Sequence, residues 1–169
     1  YMDVEISREG HIYHDRYEKG KPVLKLEKGL LPIIGDTKKT GTKITFLPDP
    51  TIFEKTRFKE DEIKSRLHET AYLNPALTII YDDNREGMDE HITFHEEDGL
   101  SGFIRDLNAN NEPVTDIVTL SGESDGIQVD VAFQFVNEFH ENIMGFCNNI
   151  YNAEGGTHIT GFKTIFTTV

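Results

Sequence analysis

The sequence predicts an α+β fold in which short antiparallel strands are combined with amphipathic helices. Apolar and polar residues alternate near the amino terminus, and apolar residues recur at helical spacing in two central segments. Near the carboxyl terminus a short apolar run, a glycine turn and a helical pattern follow one another. With 37% hydrophobic and 28% charged residues, the composition is that of a globular protein.

The amino-terminal segment is predicted to form a β-hairpin. Apolar side chains occupy every second position of residues 2–6, a turn containing Gly10 follows, and His11–Glu18 returns with tyrosines on alternate positions. A further strand is predicted after Thr40-Gly41-Thr42. In this strand Ile44 and Phe46 share one face.

Two amphipathic helices are predicted in the middle of the chain. In Glu60–Leu73 apolar residues repeat every four positions, and Asn74-Pro75 ends the pattern. The second helix begins near Asp98 and carries one apolar stripe, formed by Leu100, Phe103, Ile104 and Leu107. Between the helices, residues 77–81 and 92–94 are predicted to form two strands.

The loop 108–113 is the predicted domain boundary, because it is polar, turn-prone and coincides with a change in charge. From Asn108 to Val169 there are 8 acidic residues against 1 basic residue, whereas the preceding part has 22 against 16. Beyond the loop, a long strand with one face in a core is predicted from apolar residues at alternate positions: Ile127, Val129, Val131, Phe133 and Phe135.

The carboxyl-terminal segment is predicted to form a strand, a tight turn and a helix. The apolar run Ile143–Ile150 is short enough for a buried strand. Glu154-Gly155-Gly156 supplies the turn, and Thr157 is predicted to cap the helix with its hydroxyl. The helix is indicated by apolar residues at helical spacing: Ile159, Phe162, Ile165, Phe166 and Val169.

Charge and composition exclude several classes of function. The net charge of −13 repels phosphates, so this chain is not expected to hold DNA by itself. The sequence shows no signal-peptide pattern and no apolar run of membrane-spanning length, which favours a soluble protein. Because the chain opens with Tyr1 and ends inside a predicted helix, we expect it to be a piece of a longer protein.

The cysteine and three of the histidines are assigned no catalytic or metal-binding role. Cys147 is the only cysteine, which excludes an internal disulfide and favours a reducing cytosol, and its apolar surroundings predict a small core residue. His91 and His95 lie on a predicted strand edge that is expected to be solvated, about 13 Å apart at 3.3 Å per residue, too far to share a metal ion. His158 is expected to have a structural role beside Thr157.

Several motifs resemble the B subunits of bacterial type IIA topoisomerases, DNA gyrase above all. They are Asn148-Asn149-Ile150, Glu154-Gly155-Gly156-Thr157-His158, Gly161-Phe162-Lys163 and Thr40-Gly41-Thr42-Lys43-Ile44. The resemblance extends over essentially the whole chain, which makes it more specific than any one motif.

The resemblance implies that residues 1–107 are the C-terminal portion of a GHKL (Bergerat) ATPase domain, an α/β sandwich. Residues 108–169 would then be the N-terminal portion of a transducer domain, which is β-rich with a left-handed β-α-β crossover. The parent protein would use ATP and Mg²⁺ to drive DNA strand passage and supercoiling in the cytoplasm. Its implied partners are DNA, the A subunit of gyrase, and a second B subunit, with which it dimerises on ATP binding.

Four residues match positions to which the family assigns a role. The resemblance implies that Thr42 supports the adenine-binding polar network, Ile44 lines the pocket floor and Arg8 lies at the pocket rim. Gly41 belongs to the same motif, and a glycine there lets a ligand approach the backbone. The resemblance also implies that Lys163 faces the central DNA cavity between paired ATPase domains. Taken from the residues alone, Thr40–Ile44 is an ordinary turn entering a strand and Arg8 is a solvated hairpin charge.

No catalytic or metal-binding residue can be assigned within this chain, because the family's glycine-rich phosphate loops, catalytic glutamate and magnesium ligand precede it. This chain alone is therefore expected neither to hydrolyse ATP nor to bind it tightly. Two alternatives stay open: the B subunit of topoisomerase IV, which shares these motifs, and an α+β interaction module without catalysis.

Overall fold

The computed structural model describes residues 1–168, which divide into two compact units between Phe58 and Lys59. The loop 108–113 therefore lies inside the second unit. It is also tied to the strand region that follows, since Asn137 N donates to Glu112 O and Val114 N donates to Phe135 O, both at 2.8 Å. The assignment of residues 1–107 and 108–169 to two domains of a larger protein stays a prediction. Val169, the last apolar position of the predicted C-terminal helix, lies outside the described residues.

The first unit contains an antiparallel sheet of five short strands. Its strands are β1 (Met2–Arg8), β2 (His11–Glu18), β3 (Lys21–Pro22), β4 (Ile33–Asp36) and β5 (Gly41–Phe46). The strand order is β3-β2-β1-β5, and β4 also pairs with β2. The predicted hairpin of β1 and β2 is confirmed. Glu9 and Gly10 form its turn with positive φ angles of 53° and 87°, and glycine adopts such an angle without steric cost at the second position.

The second unit begins with two helices and a hairpin. They are α1 (Glu60–Leu73), β6 (Ile79–Asp83), β7 (Glu90–Phe94) and α2 (Gly99–Leu107), so both predicted helices are confirmed. The core between them contains Ala71, Tyr72, Phe94 and Phe103. Gly102 allows α2 to approach α1, because a Cβ there would lie 3.1 Å from the Tyr72 ring.

The remaining elements are two hairpins and a helix. They are β8 (Val118–Ser124), β9 (Ile127–Phe133), β10 (Phe146–Cys147), β11 (Ile150–Tyr151) and α3 (Thr157–Phe166). The prediction that the long strand has one face in a core is wrong for its first half, where Ile127 is 66% exposed and Val129 53% exposed. Within β9 only Val131, Ala132 and Phe133 are partly buried, and the Phe133 ring lies 5.1 Å from the Phe166 ring of α3.

Three predictions for the carboxyl-terminal segment are also wrong. The run Ile143–Ile150 does not form one strand, because Asn148 and Asn149 adopt φ 48° and 64° and reverse the chain between β10 and β11. Cys147 is exposed because it lies on this small hairpin and not in a core. Thr157 is the first residue of α3, whose N-cap is Gly156, and no side chain caps the helix.

The predicted α+β class is confirmed, since sheets and helices are both present within residues 1–168. None of the helices in this range is both long and apolar enough to cross a lipid bilayer.

Candidate functional site

The predicted site residues Gly41, Thr42 and Ile44 all lie on β5. This strand is at an edge of the sheet and pairs with β1, so that Thr42 is opposite Ile6 and Ile44 is opposite Val4. Directly opposite residues of an antiparallel pair project from the same face of the sheet. Thr42 and Ile44 therefore share one face with Val4 and Ile6.

Gly41 begins β5 in a conformation that favours glycine. Its φ is 154°, and a Cβ built on it would meet no atom within 4 Å. The constraint at this position is therefore the backbone angle and not crowding by neighbouring side chains. The open space beside Gly41 also leaves its backbone accessible from outside the sheet.

Arg8 lies on the same face as Thr42 and at the same end of the sheet. It follows Ile6 by two residues on β1, and alternate residues of a strand project from the same side. Its Nη2 lies 3.0 Å from the Glu9 carboxylate, and its side chain is 72% exposed. The structure thus brings Arg8, Thr42 and Ile44 together on one face of the sheet.

This face can line a binding pocket, but its three side chains supply no general acid or base near neutral pH. Ile44 is 59% exposed, and within the described part of the chain the Thr42 hydroxyl has no side-chain hydrogen bond. A hydroxyl that both donates and accepts, next to an exposed isoleucine, fits the edge and face of a flat heteroaromatic ring. Neither threonine, isoleucine nor arginine takes up a proton near neutral pH.

The opposite face of the same sheet carries a charged cluster that the sequence analysis missed. Asp3 Oδ1 lies 3.0 Å from His14 Nε2, and Arg16 Nη1 donates to Asp3 Oδ2 at 2.8 Å. The hydrogen bond with His14 and the guanidinium of Arg16 lower the pKa of Asp3 against the opposing effect of burial. The residue pairing in the β1–β2 hairpin indicates this cluster, because pairing across the Glu9-Gly10 turn places Arg16 opposite Asp3.

A second cluster in the other unit surrounds the buried carboxylate of Asp83, which is 5% exposed. Arg85 Nε donates to both of its oxygens at 2.8 and 3.0 Å, and the Tyr81 hydroxyl donates to Oδ2 at 3.1 Å. Arg85 Nη2 also donates to Glu60 Oε2, at the start of α1, over a distance of 3.3 Å. Hydrogen bonding from Arg85 holds the pKa of Asp83 well below its usual range despite burial, so this carboxylate stays ionised and structural.

His68, His91 and His95 of the second unit each make side-chain contacts within that unit. His68 stacks on Tyr72 at 4.5 Å between ring centroids, and its Nε2 lies 2.7 Å from Glu96 Oε1. His91 is on β7 beside Asp82, which confirms the exposed strand edge, and His95 Nδ1 lies 3.1 Å from Leu77 O. In residues 1–168 no group of three or more potential ligand side chains is arranged to hold a metal ion.

Lys163 lies on α3 in the second unit, and its ammonium is paired with the carboxylate of Glu141. The first turn of the same helix packs against Gly145. A Cβ at Gly145 would lie 2.4 Å from Ile159 Cδ1 and 2.8 Å from His158 Nε2. These contacts agree with the structural role predicted for His158.

Comparison with known proteins identifies the relatives of this chain. The family model described as DNA gyrase B matches residues 99–169. The B subunit of DNA topoisomerase 4 from Staphylococcus aureus strain MW2 is 43% identical over 171 residues, which cover 100% of this chain and 25% of that protein. Its counterpart from strain N315 has the same identity and coverage. The chain thus spans about a quarter of the length of these curated relatives.

Two solved structures have a similar fold. One is the 43K ATPase domain of Thermus thermophilus gyrase B in complex with an aminocoumarin, with a TM-score of 0.81, 28% identity and coverage of 99% of this chain and 44% of that one. The B subunit of DNA gyrase from Myxococcus xanthus has a TM-score of 0.78 at 24% identity, with 96% and 47% coverage. The family model, the S. aureus relatives and these structures agree that the chain is similar to B subunits of type IIA topoisomerases, a group that includes gyrase B and topoisomerase IV B.

Proposed function

We propose that this chain is part of the ATP-hydrolysing subunit of a bacterial type IIA topoisomerase, which couples ATP hydrolysis to passage of one DNA duplex through another. The observation that carries the proposal is the 43% identity to the B subunit of topoisomerase 4 across the entire chain. The parent protein would act in the cytoplasm with DNA and an A subunit, and it would form a homodimer of B subunits on ATP binding.

Within that protein, the face of the first unit formed by Arg8, Thr42 and Ile44 serves as one wall of the nucleotide pocket. The open hydroxyl of Thr42 hydrogen-bonds in the polar network around the adenine, and Ile44 contacts the ring. Gly41 leaves room for the ligand beside the backbone, and Arg8 stands at the rim. Support comes from the β1–β5 register, which places the three side chains on one face, and from the exposure of that face.

In this proposal, the chain contacts only part of the ATP molecule. The chain offers side chains for the base but, within residues 1–168, no cluster of three potential metal ligands. Mg²⁺ would neutralise phosphate charge during ATP hydrolysis, and its ligands would come from other parts of the intact protein.

Residues from about 108 onward form the first part of the transducer in this proposal. Lys163 would face the cavity through which DNA passes, and there it must exchange Glu141 for a phosphate. Lysine supplies a point charge in this position and not the planar bidentate pairing of arginine. Because the whole chain carries a net charge of −13, Lys163 would act as a local contact and not as part of a basic surface.

Gyrase and topoisomerase IV are the two candidate activities. The gyrase B family model supports the first, and the S. aureus relatives, which are B subunits of topoisomerase 4, support the second. The test is an assay of the intact B subunit, reconstituted with its A subunit, on relaxed and catenated plasmid DNA. ATP-dependent negative supercoiling indicates gyrase, whereas decatenation without supercoiling indicates topoisomerase IV. Absence of both activities would contradict the proposed function.

A further inference from the structure

The turn between β10 and β11, which we call the Asn turn (Asn148-Asn149), is bonded to α1 at two points. Arg66 Nη2 donates to the backbone carbonyl oxygen of Asn149. Asn149 Nδ2 donates to Asn74 Oδ1 at 3.0 Å. These bonds join residues 83 and 75 positions apart, across the region where the family's ATPase and transducer portions are predicted to meet.

The orientation of Asn74 is set by its own bonds at the end of α1. Its Nδ2 donates to Thr70 O at 2.7 Å, and its backbone N–H donates to Ala71 O at 3.1 Å. Because the amide nitrogen is engaged with a helix carbonyl, the amide oxygen is left as the acceptor that faces Asn149. The Asn74 side chain thus hydrogen-bonds the end of α1 through its nitrogen and accepts the hydrogen bond from Asn149 through its oxygen.

The backbone of the Asn turn suits this contact. Asn148 and Asn149 adopt φ 48° and 64°, in the left-handed region where asparagine is among the least strained residues after glycine. Two consecutive residues of this kind give the tight reversal of a two-residue hairpin. At the tip of that reversal, the carbonyl and the side-chain amide of Asn149 both reach α1.

The hairpin that carries the Asn turn is also in contact with α2 and α3. The Phe146 ring lies 6.1 Å from the Phe103 ring of α2, measured between ring centroids. The residues that flank the hairpin are also joined, because Asn152 N donates to Gly145 O at 2.9 Å. Gly145 in turn packs against Ile159 in the first turn of α3. A continuous series of contacts therefore runs from α1 through the Asn turn to α3.

We propose that the Asn turn is a latch that fastens the β10–β11 hairpin, and with it the start of α3, to α1. The proposal rests on the proposed function, since the latch joins α1, in the proposed ATPase portion, to the hairpin and helix of the proposed transducer portion. With both bonds in place the hairpin follows α1 as one body. Without them, ATP hydrolysis proceeds with fewer strand-passage events for each ATP consumed.

Two substitutions open the latch while keeping its backbone. Asn149→Gly preserves the left-handed conformation and the carbonyl acceptor but removes the donor to Asn74. Arg66→Met keeps a long helix-forming side chain but removes the donor to Asn149 O. Asn148→Gly is the matched control, because it changes the same turn without touching either bond.

The first readout is hydrogen exchange of the peptide covering residues 145–152 in the intact B subunit. We expect the double variant Arg66→Met/Asn149→Gly to exchange about tenfold faster or more, given the usual strength of charge-assisted hydrogen bonds. Asn148→Gly should exchange at the wild-type rate. Equal exchange in the double variant and the control would overturn the latch.

The second readout is the number of DNA strand passages per ATP hydrolysed, measured with the A subunit present. We expect this ratio to fall at least fivefold in the double variant, with ATP hydrolysis within about twofold of wild type and the control unchanged. Faster exchange without a fall in the ratio would overturn the coupling role. A wild-type protein without DNA-dependent ATP hydrolysis would instead overturn the proposed function, and the two failures are thereby distinguished.

Discussion

The α1–α2 layer and the β8–β9 hairpin, both in the second unit, have equally regular patterns of apolar residues but very different burial. Phe103 on α2 is 9% exposed and stacks on Tyr72 at 5.0 Å. On β9, Ile127 is 66% exposed although it belongs to an unbroken apolar alternation. Periodicity therefore predicts which side chains share a face, but coverage of that face depends on which other element packs against it.

The largest expected effect is on the free energy of unfolding, which a truncation in the α1–α2 core should lower far more than a truncation on the β8–β9 hairpin. Phe103→Ala should lower the free energy of unfolding by about 3–5 kcal/mol, because it leaves a cavity beside Tyr72. Ile127→Ala should change it by less than about 0.5 kcal/mol, because that side chain is mostly exposed. Urea unfolding of the two variants measures the contrast, and equal losses would mean that β9 is covered in solution.

A smaller effect is expected where α3 packs on the backbone before β10. Gly145→Ala should cost about 1–3 kcal/mol in free energy of unfolding, because the added Cβ overlaps Ile159. Gly122→Ala on β8 is the matched control, since a Cβ there meets no atom within 4 Å. If both variants unfold at the same denaturant concentration, the packing of α3 on Gly145 is not present.

The sequence predicts long periodic elements of this fold better than short apolar segments. The bounds of α1 could be predicted because its helical repeat is long and Asn74-Pro75 ends it. The β10–β11 hairpin could not, since a short apolar run also fits a single strand and the reversal depends on the conformation of Asn148 and Asn149. Exposure of Cys147 was missed for the same reason.

The candidate site was predictable only as separate motifs. The juxtaposition of Arg8 with Thr42 requires the register between β1 and β5, which are separated by three other strands in the chain. The Asp3, His14 and Arg16 cluster likewise needs the hairpin register. No local pattern in the sequence contains such cross-strand information.

Acid should weaken the second unit through Asp83. The pKa of Asp83 is lowered in the folded state, so its contribution is present above the unfolded value of roughly 3.9 and is lost as the pH falls below it. Asp83→Asn should unfold more easily at neutral pH and lose part of the pH dependence below about pH 4. Denaturant titrations between pH 7 and pH 2 measure this, and identical pH profiles for variant and wild type would contradict the assignment.

The smallest expected effect tests the central claim most directly, because it asks whether the face of β5 that carries Thr42 binds the nucleotide. In the intact B subunit, Thr42→Ala should weaken binding of a non-hydrolysable ATP analogue by about fivefold, or about 1 kcal/mol, through loss of one hydrogen-bonding hydroxyl. Thr45→Ala is the matched control, because Thr45 lies on the same strand but projects from the opposite face, across from Asp3. Calorimetric titration should show weaker binding for Thr42→Ala and wild-type binding for Thr45→Ala. Wild-type affinity in a correctly folded Thr42→Ala protein would contradict the account.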